Sequence, residues 1–239
     1  MSPKRVVIIA NGDLNLNNLI FYDRLLEPDD YTICVNGGTG HALALGLKPD
    51  LIIGDLDSLE PGHKLAIEQL GSQIIRHPSE KDQSDLELAI DYAVEMQPAE
   101  ILIIGALGGK RADHSFINLL LLSIPLRRGV SARIIDESQE IRLVDKEVSI
   151  EGKQGDYLSL FSLTAETGGI TTKGLKFPLK REILYFASTR GLSNELTASP
   201  AKITIDSGLL LVIKTSIAGK SIDQLPFVSG KDSSSNNIS

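Results

Sequence analysis

Cysteine is nearly absent from this chain: Cys34 is the single one in 239 residues. Neither a disulfide framework nor a cysteine metal centre can therefore form within one chain. Cys34 stands inside an apolar segment and reads as a small buried hydrophobe. Histidine is scarce as well. His41, His63, His77 and His114 show neither an HxxxH nor an HExxH spacing, which argues against zinc chemistry. Long hydrophobic runs are missing; the longest, residues 116–125, is about half of what a bilayer crossing needs. Residues 1–11 lack the extended apolar region of a signal peptide, so a cytoplasmic location and no membrane partner are expected. No run of lysine and arginine is interleaved with aromatics, and the formal net charge is −7. Both features disfavour nucleic acid or any general polyanion as a partner, while a local basic pocket stays open. A Walker-type phosphate loop, a nucleophile triad and internal repeats are also lacking.

What is there is enough apolar material, 42% of the residues, for one large domain or two modest ones with real cores. Up to about residue 136, short Ile- and Val-rich runs at 6–10, 33–35, 51–53, 73–76, 101–104 and 132–135 alternate with helical patterns. The helical patterns lie at 40–47, 63–70, 84–95 and 113–122. This alternation implies parallel strands in an open doubly wound sheet. The texture then changes to short segments at 141–144, 147–150, 157–161, 169–172, 183–186, 202–205 and 209–213, separated by turn residues. They read as an antiparallel β-sandwich. The expected fold class is α/β, with a doubly wound, mostly parallel sheet in residues 1–140 and an all-β sandwich in 141–228. A polar, disordered tail is expected at 229–239.

Doubly wound sheets bind ligands beyond the carboxyl ends of their strands. The motifs fall at that edge: Asn11-Gly12-Asp13, Asn36-Gly37-Gly38, Gly54-Asp55-Leu56-Asp57-Ser58 and the stretch 105–113. Asp55 and Asp57 are alternate residues of an extended segment, so both can face one hard cation. Asp85 opens a helix and joins that metal set if its segment reaches the same edge, because carboxylates gathered in a small volume need a cation. Asp82 fits helix capping. Gly105 to His114 joins a strand to a helix through glycines that let backbone N–H groups approach phosphate, and Lys110 and Arg111 can neutralise it. Asn36-Gly37-Gly38 can admit a ribose or phosphate, or simply form a tight turn. The polar loop at 188–195 suits hydrogen bonding to a small substrate, or an ordinary hairpin connection.

Taken in order, Asn36-Gly37-Gly38 and the stretches 48–58, 81–87, 105–118 and 191–195 resemble thiamine pyrophosphokinases, which move pyrophosphate from ATP to the thiamine hydroxyl. The resemblance spans nearly the whole chain. It implies magnesium on Asp55, Asp57 and Asp85, and a nucleotide held by Asn36, Gly37, Gly38, Lys110, Arg111 and Asp113. It also implies thiamine on Ser193 and Asn194, and a homodimer whose shared sites place thiamine between the sandwich of one subunit and the ATP site of the other. Two departures stand out. Asn36 sits where the family usually has an acid, and Lys110 is an extra residue between the paired glycines and Arg111.

The expected reaction is in-line attack by the substrate hydroxyl on the β-phosphorus of Mg-ATP, with Asp82 as a candidate proton acceptor. A pyrophosphokinase acting on another primary alcohol such as a pterin is one alternative. A non-catalytic nucleotide-binding protein is the other.

Overall fold

The computed structural model describes residues 3–54, 67, 69–77 and 82–217. Asp55, Asp57, most of the helix expected at 63–70 and the tail at 229–239 lie outside the described residues.

The first half contributes β1 (Arg5–Ile9), β2 (Tyr31–Val35), β3 (Leu51–Gly54), β4 (Gln73–Arg76), β5 (Glu100–Ile104) and β6 (Ser131–Ile135). They pair in parallel in the order β6-β5-β1-β2-β3-β4. The chain winds outward from β1 to β4, then crosses back to add β5 and β6 on the other side. The strand order reverses between β1 and β5.

Helices cover both faces, so successive strand residues are buried on opposite sides and the central strands read as unbroken apolar runs. Val7, Ile9, Cys34, Ile52, Leu102 and Ile104 pack with Phe21 and Tyr22 of α1 (Leu19–Leu25) and Ala42 of α2 (Gly38–Ala44). Val6, Ile8, Ile33, Ile53, Ile101 and Ile103 pack instead with Ala89, Ile90 and Ala93 of α3 (Asp85–Glu95) and Leu121 of α4 (Ala112–Leu121). A short α5 (Ser123–Arg127) follows, with Pro125 in its first turn, where a missing N–H costs no helical bond. Cys34 is fully buried, and burial pushes its thiol pKa up, in keeping with a packing role.

The sheet continues past β6. The Asp136 carboxylate accepts the backbone N–H groups of Ser138 and Gln139 at 2.7 Å each, which turns the chain into β7 (Gln139–Val144), antiparallel to β6. There follow β8 (Glu147–Ile150), β9 (Tyr157–Ser162), β10 (Glu166–Lys173), β11 (Glu182–Tyr185), β12 (Asn194–Glu195), β13 (Ala201–Thr204) and β14 (Leu210–Thr215). β7, β14, β9 and β12 extend the first sheet to ten strands, while β11-β10-β13-β8 form a second sheet of four. Leu158, Leu160, Leu210 and Val212 of the large sheet meet Ile150, Ile170, Leu184 and Ile203 of the small one in a separate core. The expected sandwich is present. Its larger sheet is continuous with the parallel first half, and residue 140 lies within β7.

At this junction Glu140 of β7 and Lys214 of β14 are cross-strand neighbours, exposed by only 6% and 5%. Glu140 accepts from Arg142 Nε at 2.7 Å, and Lys214 Nζ and Arg133 Nη1 lie 3.5 and 3.7 Å from its other oxygen. Burial alone would raise the Glu140 pKa, but Arg142, Lys214 and Arg133 outweigh it and hold the carboxyl below its ordinary value.

Candidate active site

Where the strand order reverses, the loops leaving β1, β2 and β5 and the first turns of α3 and α4 enclose a cleft of about 740 Å³. Asn11 and Gly12 line it from β1, Asn36 from β2, Asp85 from α3, and the segment Gly108 to Arg111 with Asp113 and His114 from β5 and α4. Three of the four edge motifs therefore meet in one place, as expected. The fourth continues from Gly54 beyond the described residues.

Asn36 leaves β2 in a left-handed turn, φ 46°, with its backbone N–H donating to Ile53 O at 3.1 Å. Its Nδ2 donates to Asp85 Oδ2. An amide nitrogen, not an oxygen, must face a carboxylate, so Oδ1 turns the other way and is buried without a hydrogen-bond partner. The oxygen rests against Gly54, where a Cβ would overlap it. Gly54 thus makes room for the Asn36 side chain at the end of the strand that leads to Asp55. A Cβ at Gly37 would likewise overlap the Asn11 amide, which explains that glycine by close approach.

The sequence assigns the cap of α3 to Asp82; the structure assigns it to Ser84, whose Oγ accepts the Glu87 N–H at 3.2 Å. Asp82 is exposed and does not line the cleft. Two residues further on than the expected cap, Ser84 has the extended backbone a cap requires, and this registers Asp85 as the first helical residue.

The glycine stretch after β5 is tied down on two sides. Asn118 Nδ2 donates to Ala106 O at 2.7 Å and Ser115 Oγ to Gly108 O at 3.0 Å, both from α4. From the β1 loop, Asp13 Oδ2 accepts the Gly109 N–H at 2.8 Å. His41 Nε2 lies 3.0 Å from Gly12 O, linking that loop to α2. The expectation that this glycine turn offers its N–H groups to phosphate is therefore corrected at Gly109, whose N–H already has a carboxylate. Arg111 and Asp113 are both exposed and pair through two hydrogen bonds, Nε to Oδ1 and Nη2 to Oδ2. That pairing holds the Asp113 carboxyl well below the ordinary range. Asp13, Ser115 and Asn118 fall within stretches the sequence singles out, but their bracing role is hidden because their partners are loop backbone atoms, up to 96 residues away for Asp13.

Ser193 and Asn194 do not line this cleft. Ser193 is exposed at φ 56°, with its N–H on Ser159 Oγ at 3.0 Å. The Asn194 side chain copies a strand pairing with Phe177, accepting its N–H at 3.0 Å and donating to its carbonyl at 2.7 Å. Around this loop Tyr157, Phe177 and Leu192 are 42%, 62% and 50% exposed.

The family model "Thiamin pyrophosphokinase, catalytic domain" matches residues 22–134, and "Thiamin pyrophosphokinase, vitamin B1 binding domain" matches 140–210. A thiamine pyrophosphokinase of Bacillus subtilis is 33% identical over 216 residues, covering 89% of this chain and 99% of the relative. The crystal structure of thiamine pyrophosphokinase from Bacillus subtilis superposes with a TM-score of 0.80 at 31% identity, over 89% of this chain and 99% of the other. That of thiamin pyrophosphokinase from Geobacillus thermodenitrificans gives 0.78 at 28% identity, over 90% and 99%.

Proposed function

Since the chain belongs to the thiamine pyrophosphokinase family, we propose that it transfers the pyrophosphoryl group of ATP to the hydroxyl of thiamine, giving thiamine diphosphate and AMP. The observation that carries this reading is the cleft at the strand-order reversal, which gathers Asn36, Asp85 and the Lys110–Arg111 loop around a volume suited to a nucleotide.

The catalytic task is positioning and charge neutralisation. Asn36 is the residue of its motif that faces the nucleotide, while Gly37 and Gly38, expected to share that role, let the turn pack against Asn11 and Ile9. Lys110 and Arg111 offer cationic side chains to the triphosphate, with Asp113 fixing the Arg111 guanidinium through its paired hydrogen bonds. The thiamine hydroxyl attacks the β-phosphorus in line; its oxygen–phosphorus bond forms as the bond to the α-phosphate oxygen breaks and AMP leaves. The hydroxyl proton must pass to a carboxylate or to solvent; Asp82, the acceptor expected from the sequence, stands exposed outside the cleft, whereas Asp85 lines it.

Magnesium fits the donor set. Asp85 is a hard oxygen donor on the cleft wall, and the buried Asn36 Oδ1, turned away from Asp85, is a second one against Gly54, the residue before Asp55. Among the described residues no group of three acidic, histidine or cysteine side chains forms a metal site, so the set needs Asp55 and Asp57. When bound, the ion supplies neutralisation of the charge that builds on the phosphate oxygens.

Ser193 and Asn194 lie outside the cleft, and a homodimer in which the sandwich loop of one subunit faces the cleft of the other would bring thiamine to the nucleotide. The exposed Tyr157, Phe177 and Leu192 beside that loop support such an apposition. No helix among the described residues is long and apolar enough to cross a membrane.

Acceptor specificity tests the proposal: ATP and magnesium are supplied with thiamine, a hydroxymethyl pterin or a simple primary alcohol, and AMP release is followed. Release with thiamine alone is expected. Preference for the pterin would move the function to another alcohol, and nucleotide binding without AMP release on any acceptor would make this a binding protein.

A further inference from the structure

We propose that Asp13 is a positioning residue, whose carboxylate braces the glycine loop and thereby sets how Lys110 and Arg111 are presented to the nucleotide. The inference rests on the nucleotide reading of the cleft and adds a residue that does not itself line it.

Three bonds join the β1 loop to the β5 loop across the crevice. Gly12 N–H donates to Gly105 O at 2.6 Å, Asp13 N–H to Leu107 O at 2.8 Å, and Gly109 N–H to Asp13 Oδ2 at 2.8 Å. The first two are backbone pairings that any residue could make. The third depends on the Asp13 side chain, and it falls immediately before Lys110.

Gly108 and Gly109 both have φ 77°, a left-handed pair that needs glycine and has no internal preference to stay in place. A Cβ on Gly108 would overlap the Asp13 carboxylate, so loop and acid are in close packing as well as bonded. Ser115 and Asn118 hold only loop carbonyls, from the α4 side. Among the described hydrogen bonds, Asp13 is what fixes a loop donor, from the opposite wall. Its charge lies where an anion would sit on such a turn, which leaves phosphate recognition to the Lys110 and Arg111 side chains.

Calorimetric titration of ATP into the full chain, with steady-state kinetics and amide hydrogen exchange at Gly109, tests this on Asp13→Ala and Asp13→Asn. Asn keeps an oxygen that accepts the Gly109 N–H. For Asp13→Ala the ATP dissociation constant and KM are expected to rise about tenfold, the scale of one charge-assisted hydrogen bond. The KM for thiamine and the melting temperature stay near those of the parent, and Gly109 exchange accelerates. Asp13→Asn restores protection and brings ATP affinity to within about threefold. Unchanged or tighter ATP binding by Asp13→Ala, with Gly109 still protected, overturns the proposal and marks Asp13 as inert or as a competitor of phosphate. Failure of the parent chain to bind ATP defeats the nucleotide reading instead, while Gly109 exchange in the ligand-free variants still decides whether Asp13 holds the loop.

Discussion

Replacing Asn36 by Asp probes the meeting of β2 and α3 at the site, because it changes one amide nitrogen into an oxygen with almost no change in volume. In the parent, Nδ2 donates to the Asp85 carboxylate. In Asn36→Asp that donor is gone, which costs about 1.5–3 kcal/mol for a hydrogen bond to a charged group. Two like charges about 4 Å apart at an effective dielectric of about 20 would repel by about 4 kcal/mol more, but proton uptake or separation of the pair limits the penalty. A net loss of about 3 kcal/mol is expected, or about 6–12 °C in melting temperature for a chain of this length. The assay is thermal and urea unfolding in a chelating buffer, repeated with magnesium. If Asp85 faces a cation site, magnesium stabilises the variant more than the parent, since the oxygen that replaces Nδ2 lies beside the Asp85 carboxylate and adds a ligand there. A variant that unfolds with the parent's midpoint in chelator would show that residue 36 and Asp85 do not meet, and would refute the reasoning.

Other substitutions reach different parts of the molecule. Glu140→Gln leaves Arg142, Lys214 and Arg133 around a neutral buried amide and should cost about 3–5 kcal/mol, measured by urea unfolding at neutral pH. The Glu140 pKa is depressed in the folded chain, so its contribution is present above the ordinary glutamate range and is lost as pH falls through and below it; the gap between parent and variant should shrink in acid. Asp57→Ala should lower turnover at least about 100-fold if a metal-held carboxylate stabilises the transition state, and near-parental kcat with unchanged magnesium dependence would remove Asp57 from the site. Asn194→Ala removes both hydrogen bonds to Phe177 and should raise the KM for thiamine several-fold while the KM for ATP stays put; equal shifts in both would place the defect in folding rather than in the sandwich loop.

Much of the fold is legible because burial on two faces leaves a simple imprint. β1, β3 and β5 carry nearly uninterrupted Val, Ile and Leu, and the alternation of such runs with amphipathic segments specifies a parallel sheet covered by helices. α1 is not legible, since its seven residues bury only Phe21 and Tyr22 and show no sustained period. β12 is hidden for a similar reason: it is two residues long, and its pairing to β9 is a tertiary event inside a polar loop. Continuity of the large sheet through β6 and β7 is equally silent, because strand neighbours are not encoded locally. At the site, glycine and acid motifs declare their position at the strand ends, whereas their partners do not. The exchange of Asp82 for Ser84 as the α3 cap turns on a two-residue difference in register. The Asp13 brace joins loops that only the folded sheet brings together.

The most direct test of the proposed chemistry is the stoichiometry of a single reaction of the chain with ATP, magnesium and thiamine, read by chromatography of all nucleotides and thiamine esters. AMP and thiamine diphosphate in equal amounts, neither formed without thiamine, is the expected result; ADP with thiamine monophosphate, or ATP consumption indifferent to thiamine, would contradict pyrophosphoryl transfer at this cleft.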